Sequence, residues 1–186
     1  MKLQKSIIGS LVIAIVVAAL YRIIPGRPFG FAPQIGLALF GGALIKDKKW
    51  AFALPIFSMI ISDAIYQALY LNGLTSIRGF YSGQWLNYLE IASVVVVGFF
   101  MRKVSLGSFT AFSFIAPTWF FLISNFTVWA GSEGTIIPKT MSGLMATYTL
   151  GLPFYYASVA STFVFGALFF GSWYYMNNKS WEVSKA

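Results

Sequence analysis

The sequence contains no cysteine and no histidine, and only five of its 186 residues are acidic. Without cysteine, the chain forms no disulfide, no thiolate metal site and no cysteine nucleophile. Without histidine, it lacks the commonest metal ligand and the commonest general base. Because so few groups remain that could carry chemistry, we expect neither an enzyme nor a protein with a metal or another cofactor.

Charged residues are also scarce. They make up 10% of the chain, whereas water-soluble domains contain about 25%, and the mean hydropathy is +0.75. We therefore predict an integral membrane protein in which residues 1–186 form a single transmembrane domain in contact with the lipid bilayer. The net charge of +8 does not indicate nucleic-acid binding, because Lys and Arg lie in small groups at the ends of apolar segments.

The apolar segments predict an all-α bundle of six membrane-spanning helices. The second segment has only eleven apolar residues, Ile35 to Ile45, which span roughly 17 Å as a helix. It is therefore a short or re-entrant helix that uses 29–34 as non-helical backbone, which membranes tolerate only inside protein or beside a cavity. The predicted spans are 6–24, 29–45, 50–71, 85–101, 109–130 and 154–176, with a separate short helix over 141–150 that ends at Gly151 and Pro153.

The distribution of basic residues predicts the orientation. Six crossings place both termini on one side, and the positive-inside rule assigns the side richer in Lys and Arg to the cytoplasm of a bacterial inner membrane. The long polar connections 22–34, 72–84 and 131–140 then lie outside, which favours an outward-opening ligand site. The inner side has Lys2, Lys5, Lys46, Lys48, Lys49, Arg102, Lys103, Lys179 and Lys185, and the outer side has Arg22, Arg27, Arg78 and Lys139.

The stretch from Arg22 to Ala43 is rich in proline and glycine and lies between two apolar segments. We interpret it as a segment that dips back into the protein and helps to build a pocket, although an ordinary loop followed by a tight helix-packing face also fits. Small residues let helices approach closely. The candidates for docking a partner are accordingly Ala14, Ala18, Gly41 and Gly42.

Asp63 is an ionisable residue inside an apolar segment, where insertion scales assign a cost of about 2.5–3.5 kcal/mol. It needs a partner, and Arg22, Arg27, Arg78 and Lys139 are the candidates. Asp63 either contacts a ligand or organises the pocket, or it forms a buried ion pair that pins a loop to the third segment. Glu90, in the fourth segment, could snorkel toward the interface, pair with Arg78 or contact a ligand.

Several polar and aromatic residues could complete a ligand pocket. Asn125 and Trp129 share a helix face and could line a polar-aromatic pocket, although Asn125 could equally bond a neighbouring helix. Lys139 lies beside the start of the short helix, where free N–H groups bind anions, but Thr140 could simply cap that helix. The candidate ligand-binding residues are Arg22, Arg27, Phe29, Phe31, Asp63, Arg78, Tyr81, Asn125, Trp129, Lys139 and Tyr148.

Short motifs spread over about residues 22–170 resemble a small uncharacterised bacterial membrane family. They are Arg22…Pro25, Phe31-Ala-Pro33, Ala38-Leu-Phe-Gly-Gly-Ala43, Ser62-Asp63, Asn125…Trp129, Pro138-Lys-Thr140, Gly143-Leu144 and Pro153-Phe154. That family is similar in fold to the substrate-binding S components of energy-coupling-factor (ECF) transporters. One solitary cobalamin-binding subgroup of similar size uses a cysteine, which is absent here, so cobalt ligation by cysteine is excluded.

The resemblance implies a subunit that captures a vitamin-like small molecule from outside. It also implies docking on a membrane coupling subunit through Ala14 and Ala18, and toppling in the bilayer to release the ligand. The ATPases would be separate proteins, because the sequence has no phosphate-binding glycine loop followed by Lys and Ser or Thr.

Two other functions stay open at this point. The chain could be a non-catalytic accessory subunit of a larger bacterial membrane complex, with its small-residue faces and outer loops docking protein. It could also be an intramembrane enzyme in which Asp63 and Glu90 act as acid and base, but no pattern in the sequence places these two carboxyl groups near each other.

Overall fold

The computed structural model describes the backbone of residues 5–176 and the side chains of residues 11–175. The described residues form an all-α structure, as the sequence predicts, but with six helices in place of six spans and a separate short helix. The helices are α1 (Lys5–Arg22), α2 (Gln34–Leu44), α3 (Lys48–Leu71), α4 (Gln84–Phe99), α5 (Leu106–Gly131) and α6 (Met141–Met176). Lys2, Lys179 and Lys185, used above to predict the orientation, lie outside the described residues.

Three of these helices, α3, α5 and α6, are long and apolar enough to cross a membrane. The other three apolar helices are shorter and cover 11–22, 34–44 and 84–99. The structure therefore supports a multi-pass membrane protein with three spanning helices, which is a coarser result than the six predicted crossings.

The short helix α2 lies at the centre of the bundle. Every one of its eleven residues is buried except Ala43, which is partly buried, and α2 packs against α3, α4 and α6. Its side chains include Leu37, Ala38 and Leu39, which have no exposed surface. A helix that is apolar all round is buried rather than amphipathic, so the composition of α2 explains its central position.

Glycines allow the backbones around α2 to approach closely. Gly42 of α2 faces Gly98 of α4, and a Cβ added at Gly98 would lie 2.8 Å from the carbonyl oxygen of Leu39. A Cβ added at Gly41 would lie 2.8 Å from the carbonyl oxygen of Ala51 in α3. Side chains at these positions would therefore separate α2 from its neighbours.

The segment 23–33, which we call the re-entrant segment, returns into the bundle between α1 and α2. Gly30 has a φ of 79°, and a Cβ there would lie 2.6 Å from the carbonyl oxygen of Phe154 in α6. The carbonyl oxygen of Gly30 accepts a hydrogen bond from Ser158 Oγ at 3.1 Å. Only glycine combines this left-handed conformation with such a close approach, so these contacts fix the non-helical entry to α2.

The predicted break at Gly151 and Pro153 is wrong, because α6 is one helix of 36 residues with Pro153 inside it. Proline removes one backbone hydrogen bond, but ending the helix in apolar surroundings would leave more backbone groups unpaired. The separate helices predicted over 141–150 and 154–176 are therefore one element.

The connections between helices define two ends of the bundle. The loop end carries the long connections 23–33, 72–83 and 132–140, and the turn end carries the short connections 45–47 and 100–105. This arrangement brings the ends of α1, α3 and α5 next to the starts of α2, α4 and α6.

We expect Gly42→Ala to destabilise the protein by about 1–3 kcal/mol, because the new methyl group would overlap α4 backbone atoms, which cannot move aside easily. The measurement is the free energy of unfolding of the purified protein in detergent. Gly171→Ala is the matched control, since nothing lies within 4 Å of a Cβ there. Equal stability of the two variants would contradict the close contact between α2 and α4.

Candidate functional site

The carboxylate of Asp63 joins three helices at the loop end. Asp63 lies on α3 and is 2% exposed. Arg22, the last residue of α1, forms an ion pair with Oδ1 through Nη1. Gln84 Nε2 and Tyr88 OH, both on α4, donate hydrogen bonds to Oδ2 at 2.6 and 2.7 Å. Of the four basic residues that the sequence offers as partners, the structure pairs Arg22 with Asp63.

Arg22 also anchors the segment 23–33. Its Nη1 donates to Ser62 Oγ at 2.6 Å. Its carbonyl oxygen accepts from Arg27 Nε and from Tyr66 OH, both at 2.8 Å. Arg27 Nη1 in turn donates to the carbonyl oxygen of Phe31 at 3.3 Å. The guanidinium group of Arg22 therefore ties the end of α1 to α3, and the guanidinium group of Arg27 holds the backbone that leads into α2.

The connection 72–83 is fixed to the same cluster. Gln67 Oε1 accepts hydrogen bonds at 3.2 Å from the backbone N–H groups of Gly79 and Phe80, and Gln84 Nε2 donates to the carbonyl oxygen of Gly79 at 2.9 Å. A Cβ at Gly79 would overlap the backbone of α3. Partial burial raises the pKa of the Tyr81 phenol above its ordinary value of 10.0, although the Arg22 charge acts in the opposite direction.

These contacts leave the carboxylate of Asp63 surrounded by protein donors. Of the two interpretations of Asp63, the geometry favours the buried ion pair that pins loops to α3. Arg78 does not take part, because its Nε donates to Tyr70 OH at 3.2 Å and its side chain is exposed.

Glu90 forms a second buried acidic position, on α4 at 5% exposure. Its Oε1 accepts a hydrogen bond from Thr127 Oγ1 of α5. In the part of the chain that the structure describes, Glu90 has no ion pair, so the pairing with Arg78 considered above is not found. The side chain is buried, so it does not snorkel to the surface. It links α4 to α5 instead.

A cavity of about 340 Å³ lies between α5 and α6 toward the loop end. Rings and aliphatic groups form most of its wall, and Asn125 supplies an amide. The Nδ2 group of Asn125 donates to the carbonyl oxygen of Phe121 at 2.8 Å, which leaves the amide oxygen as the acceptor available to a ligand. The cavity is lined by Phe120, Phe121, Ser124, Asn125, Val128, Ile137, Thr147, Leu150, Gly151, Phe154, Tyr155 and Ser158.

The absence of a side chain at Gly151 leaves space for the Asn125 amide in the cavity wall. A Cβ added at Gly151 would overlap the amide oxygen and would lie 2.9 Å from Asn125 Cγ. The cavity also adjoins the re-entrant segment, because its lining residues Phe154 and Ser158 contact Gly30. The segment 23–33 therefore supports the cavity wall through α6, whereas neither this segment nor Asp63 lines the cavity.

The remaining candidates do not meet in one pocket. Phe29 is 80% exposed and contacts the ring of Phe154, while Phe31 packs against Tyr21 and Phe165. Tyr81 OH accepts a hydrogen bond from Asn87.

The other candidates fix the α5–α6 connection. Trp129 Nε1 donates to the carbonyl oxygen of Pro138 at 3.1 Å, and Lys139 Nζ donates to the last carbonyl groups of α5, at 2.7 Å to Trp129 and 2.6 Å to Ala130. Tyr148 OH donates to the carbonyl oxygen of Leu122 at 3.0 Å. Thr140 Oγ1 accepts from Gly143 N at 3.2 Å and so caps the start of α6.

The four small residues predicted as docking candidates contact their own chain. Ala18 has no exposed surface, and Ala14 is partly buried against the same core. Gly41 and Gly42 contact α3 and α4 as described above. The exposed face of α1 consists instead of larger apolar side chains, including Val12, Ile13, Val16, Val17 and Leu20.

Sequence reasoning missed the residues that complete the acidic positions. Gln84 and Tyr88 bind Asp63, and Thr127 binds Glu90. Gln84 and Tyr88 are four residues apart and therefore share one face of α4, which was the available signal. Thr127 had no comparable signal, because hydroxyl groups are common in helices.

A model described as a family of unknown function (DUF6580) matches residues 2–184 of the chain. The chain belongs to this family. No curated protein and no solved structure matches it. The predicted membership of an uncharacterised membrane family is therefore confirmed, whereas the similarity to S components stays a prediction. Among the described residues of this DUF6580 protein, no group of three or more acidic side chains is arranged to hold a metal ion.

For this DUF6580 protein, we expect Arg22→Met to lower the free energy of unfolding by about 3–5 kcal/mol, because it leaves the buried Asp63 carboxylate without its cation. The double variant Arg22→Met/Asp63→Leu should lose less unfolding free energy than the sum of the losses in Arg22→Met and Asp63→Leu measured alone. The free energy of unfolding in detergent is measured for both single variants and for the double variant. Arg78→Met, at an exposed position, is the control, with an expected change of about 0.5 kcal/mol or less. Strict additivity of the two substitutions would argue against a coupled pair.

Proposed function

We propose that this protein is the ligand-capturing membrane subunit of an importer of the ECF type, and that it takes up a small vitamin-like compound. The observation that carries the proposal is the cavity of about 340 Å³ between α5 and α6. Pockets for small ligands have volumes of roughly 300–1,000 Å³ and combine apolar walls with few polar groups. The cavity has both properties.

The wall of the cavity indicates the chemistry of the ligand. Phe120, Phe121, Phe154 and Tyr155 offer ring surfaces, which suit an aromatic or alicyclic ring. The oxygen of Asn125 offers one hydrogen-bond acceptor. No charged side chain lines the cavity, so the ligand is a mostly neutral ring compound with at least one hydrogen-bond donor.

The distribution of charge supports entry from outside. The turn end carries five basic residues, Lys46, Lys48, Lys49, Arg102 and Lys103, and the loop end carries four, Arg22, Arg27, Arg78 and Lys139. Both termini are proposed to lie at the turn end, where Lys2, Lys5, Lys179 and Lys185 would raise the count to nine against four. By the positive-inside rule the turn end then faces the cytoplasm. The cavity then lies toward the outer end of the bundle.

Asp63 supports the proposed binding site without lining it. Its ion pair with Arg22 holds the re-entrant segment, whose Gly30 contacts the cavity residues Phe154 and Ser158. Asp63 and Glu90 are each bonded to other side chains and not to each other in the described part of the chain, so they do not form the carboxyl pair that acid–base catalysis would use. A membrane coupling subunit and separate ATPases are proposed to supply the energy.

The test is to purify the protein from its native membrane and to identify small molecules that copurify by mass spectrometry. The compound found is then titrated against purified wild type and Asn125→Leu. Losing the amide acceptor should weaken binding about tenfold, which corresponds to one hydrogen bond of about 1.4 kcal/mol. Unchanged affinity in folded Asn125→Leu would contradict the proposed site.

A second variant tests the shape of the same cavity. Gly151→Ala should also weaken binding about tenfold, because the methyl group forces the Asn125 amide out of position. Gly171→Ala on the same helix is the matched control, since a Cβ there meets no neighbour. If only bilayer phospholipid copurifies, and no small molecule binds, the cavity is a lipid-filled groove and the importer proposal fails.

A further inference from the structure

Two basic turns lie at the turn end of the bundle. We define them as Lys46, Lys48 and Lys49, around the start of α3, and Arg102 and Lys103, after the end of α4. All five side chains are exposed. They are more than fifty positions apart in the sequence, so only the fold brings them to one end.

Contacts between α3 and α4 place the two turns side by side. Lys48 Nζ lies 5.4 Å from the centre of the Phe99 ring. Phe52 of α3 packs on the same ring at 5.7 Å. Phe99 is three residues before Arg102. Lys48, from the first basic turn, therefore lies over the end of α4, which leads into the second basic turn.

The basic turns have no anionic partner within the described residues. The ion pair found among the described residues, between Arg22 and Asp63, lies at the loop end. Asp47 is the acidic residue nearest in sequence, and its side chain accepts a hydrogen bond from Lys49 N at 2.9 Å to cap α3. Five cations against one carboxylate leave four uncompensated positive charges, which repel one another unless an external anion lies between them.

Large apolar side chains border this charge. Trp50, Phe100 and Leu106 are 52%, 70% and 81% exposed. Trp50 and Leu106 also belong to α3 and α5, two helices that can cross a membrane. Aromatic residues beside cations at the ends of such helices lie at the depth of lipid headgroups. The occupant of this surface therefore presents both an anion and hydrocarbon.

We propose that the two basic turns form one binding site for the headgroup of an anionic phospholipid. Its phosphate lies between Lys48 and Lys49 on one side and Arg102 and Lys103 on the other. Its acyl chains follow the apolar surface that begins at Trp50 and Leu106. Clusters of Lys and Arg next to membrane helices attract anionic lipids in this way, and here the apolar border continues directly into the bilayer.

The site can be tested by native mass spectrometry of the full-length protein mixed with phosphatidylglycerol and phosphatidylcholine of equal chain length. Wild type should retain phosphatidylglycerol in about tenfold preference. Lys48→Gln/Lys49→Gln should lose most of this preference, and so should Arg102→Gln/Lys103→Gln, because both turns hold one headgroup. Arg78→Gln, a charge removed at the loop end, is the control and should keep it.

Three outcomes would overturn the proposal. The preference could persist in either double variant, or it could fall equally in Arg78→Gln, which would indicate a general effect of net charge. Glycerophosphoglycerol, the headgroup without acyl chains, could compete as well as the intact lipid, which would leave a soluble anion site. Thermal unfolding of each variant in the same detergent verifies that the comparison uses folded protein.

Discussion

The burial of α2 on all sides is the constraint on which the bundle depends. A helix of eleven residues satisfies its interior backbone groups but leaves both ends to be placed inside protein. The re-entrant segment supplies one end, and the turn before α3 supplies the other. Gly42 and Gly98 then let α4 approach to backbone contact, so α3, α4 and α6 can surround an element too short to cross a membrane alone.

The loop end is divided into two regions with different properties. Around Asp63, ionic and polar side chains bond to one another and tie α1, α3 and α4 together. Between α5 and α6, rings line a partly open cavity. Gly30 and its neighbours connect the two regions, since this segment is anchored by Arg22 on one side and packs on Phe154 on the other. A polar region with many hydrogen bonds thus supports a less densely filled apolar one.

The fold was more accessible from the sequence than the site. Long apolar segments and the short apolar stretch of α2 predict where α1 to α5 lie, because hydrophobic length is a local property. The need of Asp63 for a cation follows from the cost of burying charge, but the choice of Arg22 depends on how α1 meets α3. The predicted helix break at Pro153 is wrong because local propensity favours ending the helix there, whereas packing against the surrounding helices favours a continuous helix. The pairing of Glu90 with Thr127 depends on helix rotation, which hydropathy does not encode.

The length of α6 has a consequence for the surrounding bilayer. Its 36 residues extend about 54 Å as a helix, whereas the hydrocarbon layer is about 30 Å thick. A straight helix of this length either tilts strongly or carries apolar residues beyond the acyl region, and lipids next to it stretch to reduce the hydrophobic mismatch. Because α4 has only 16 residues and extends about 24 Å, no single bilayer thickness matches both helices, and acyl-chain length becomes a variable that acts on the tilt of α6.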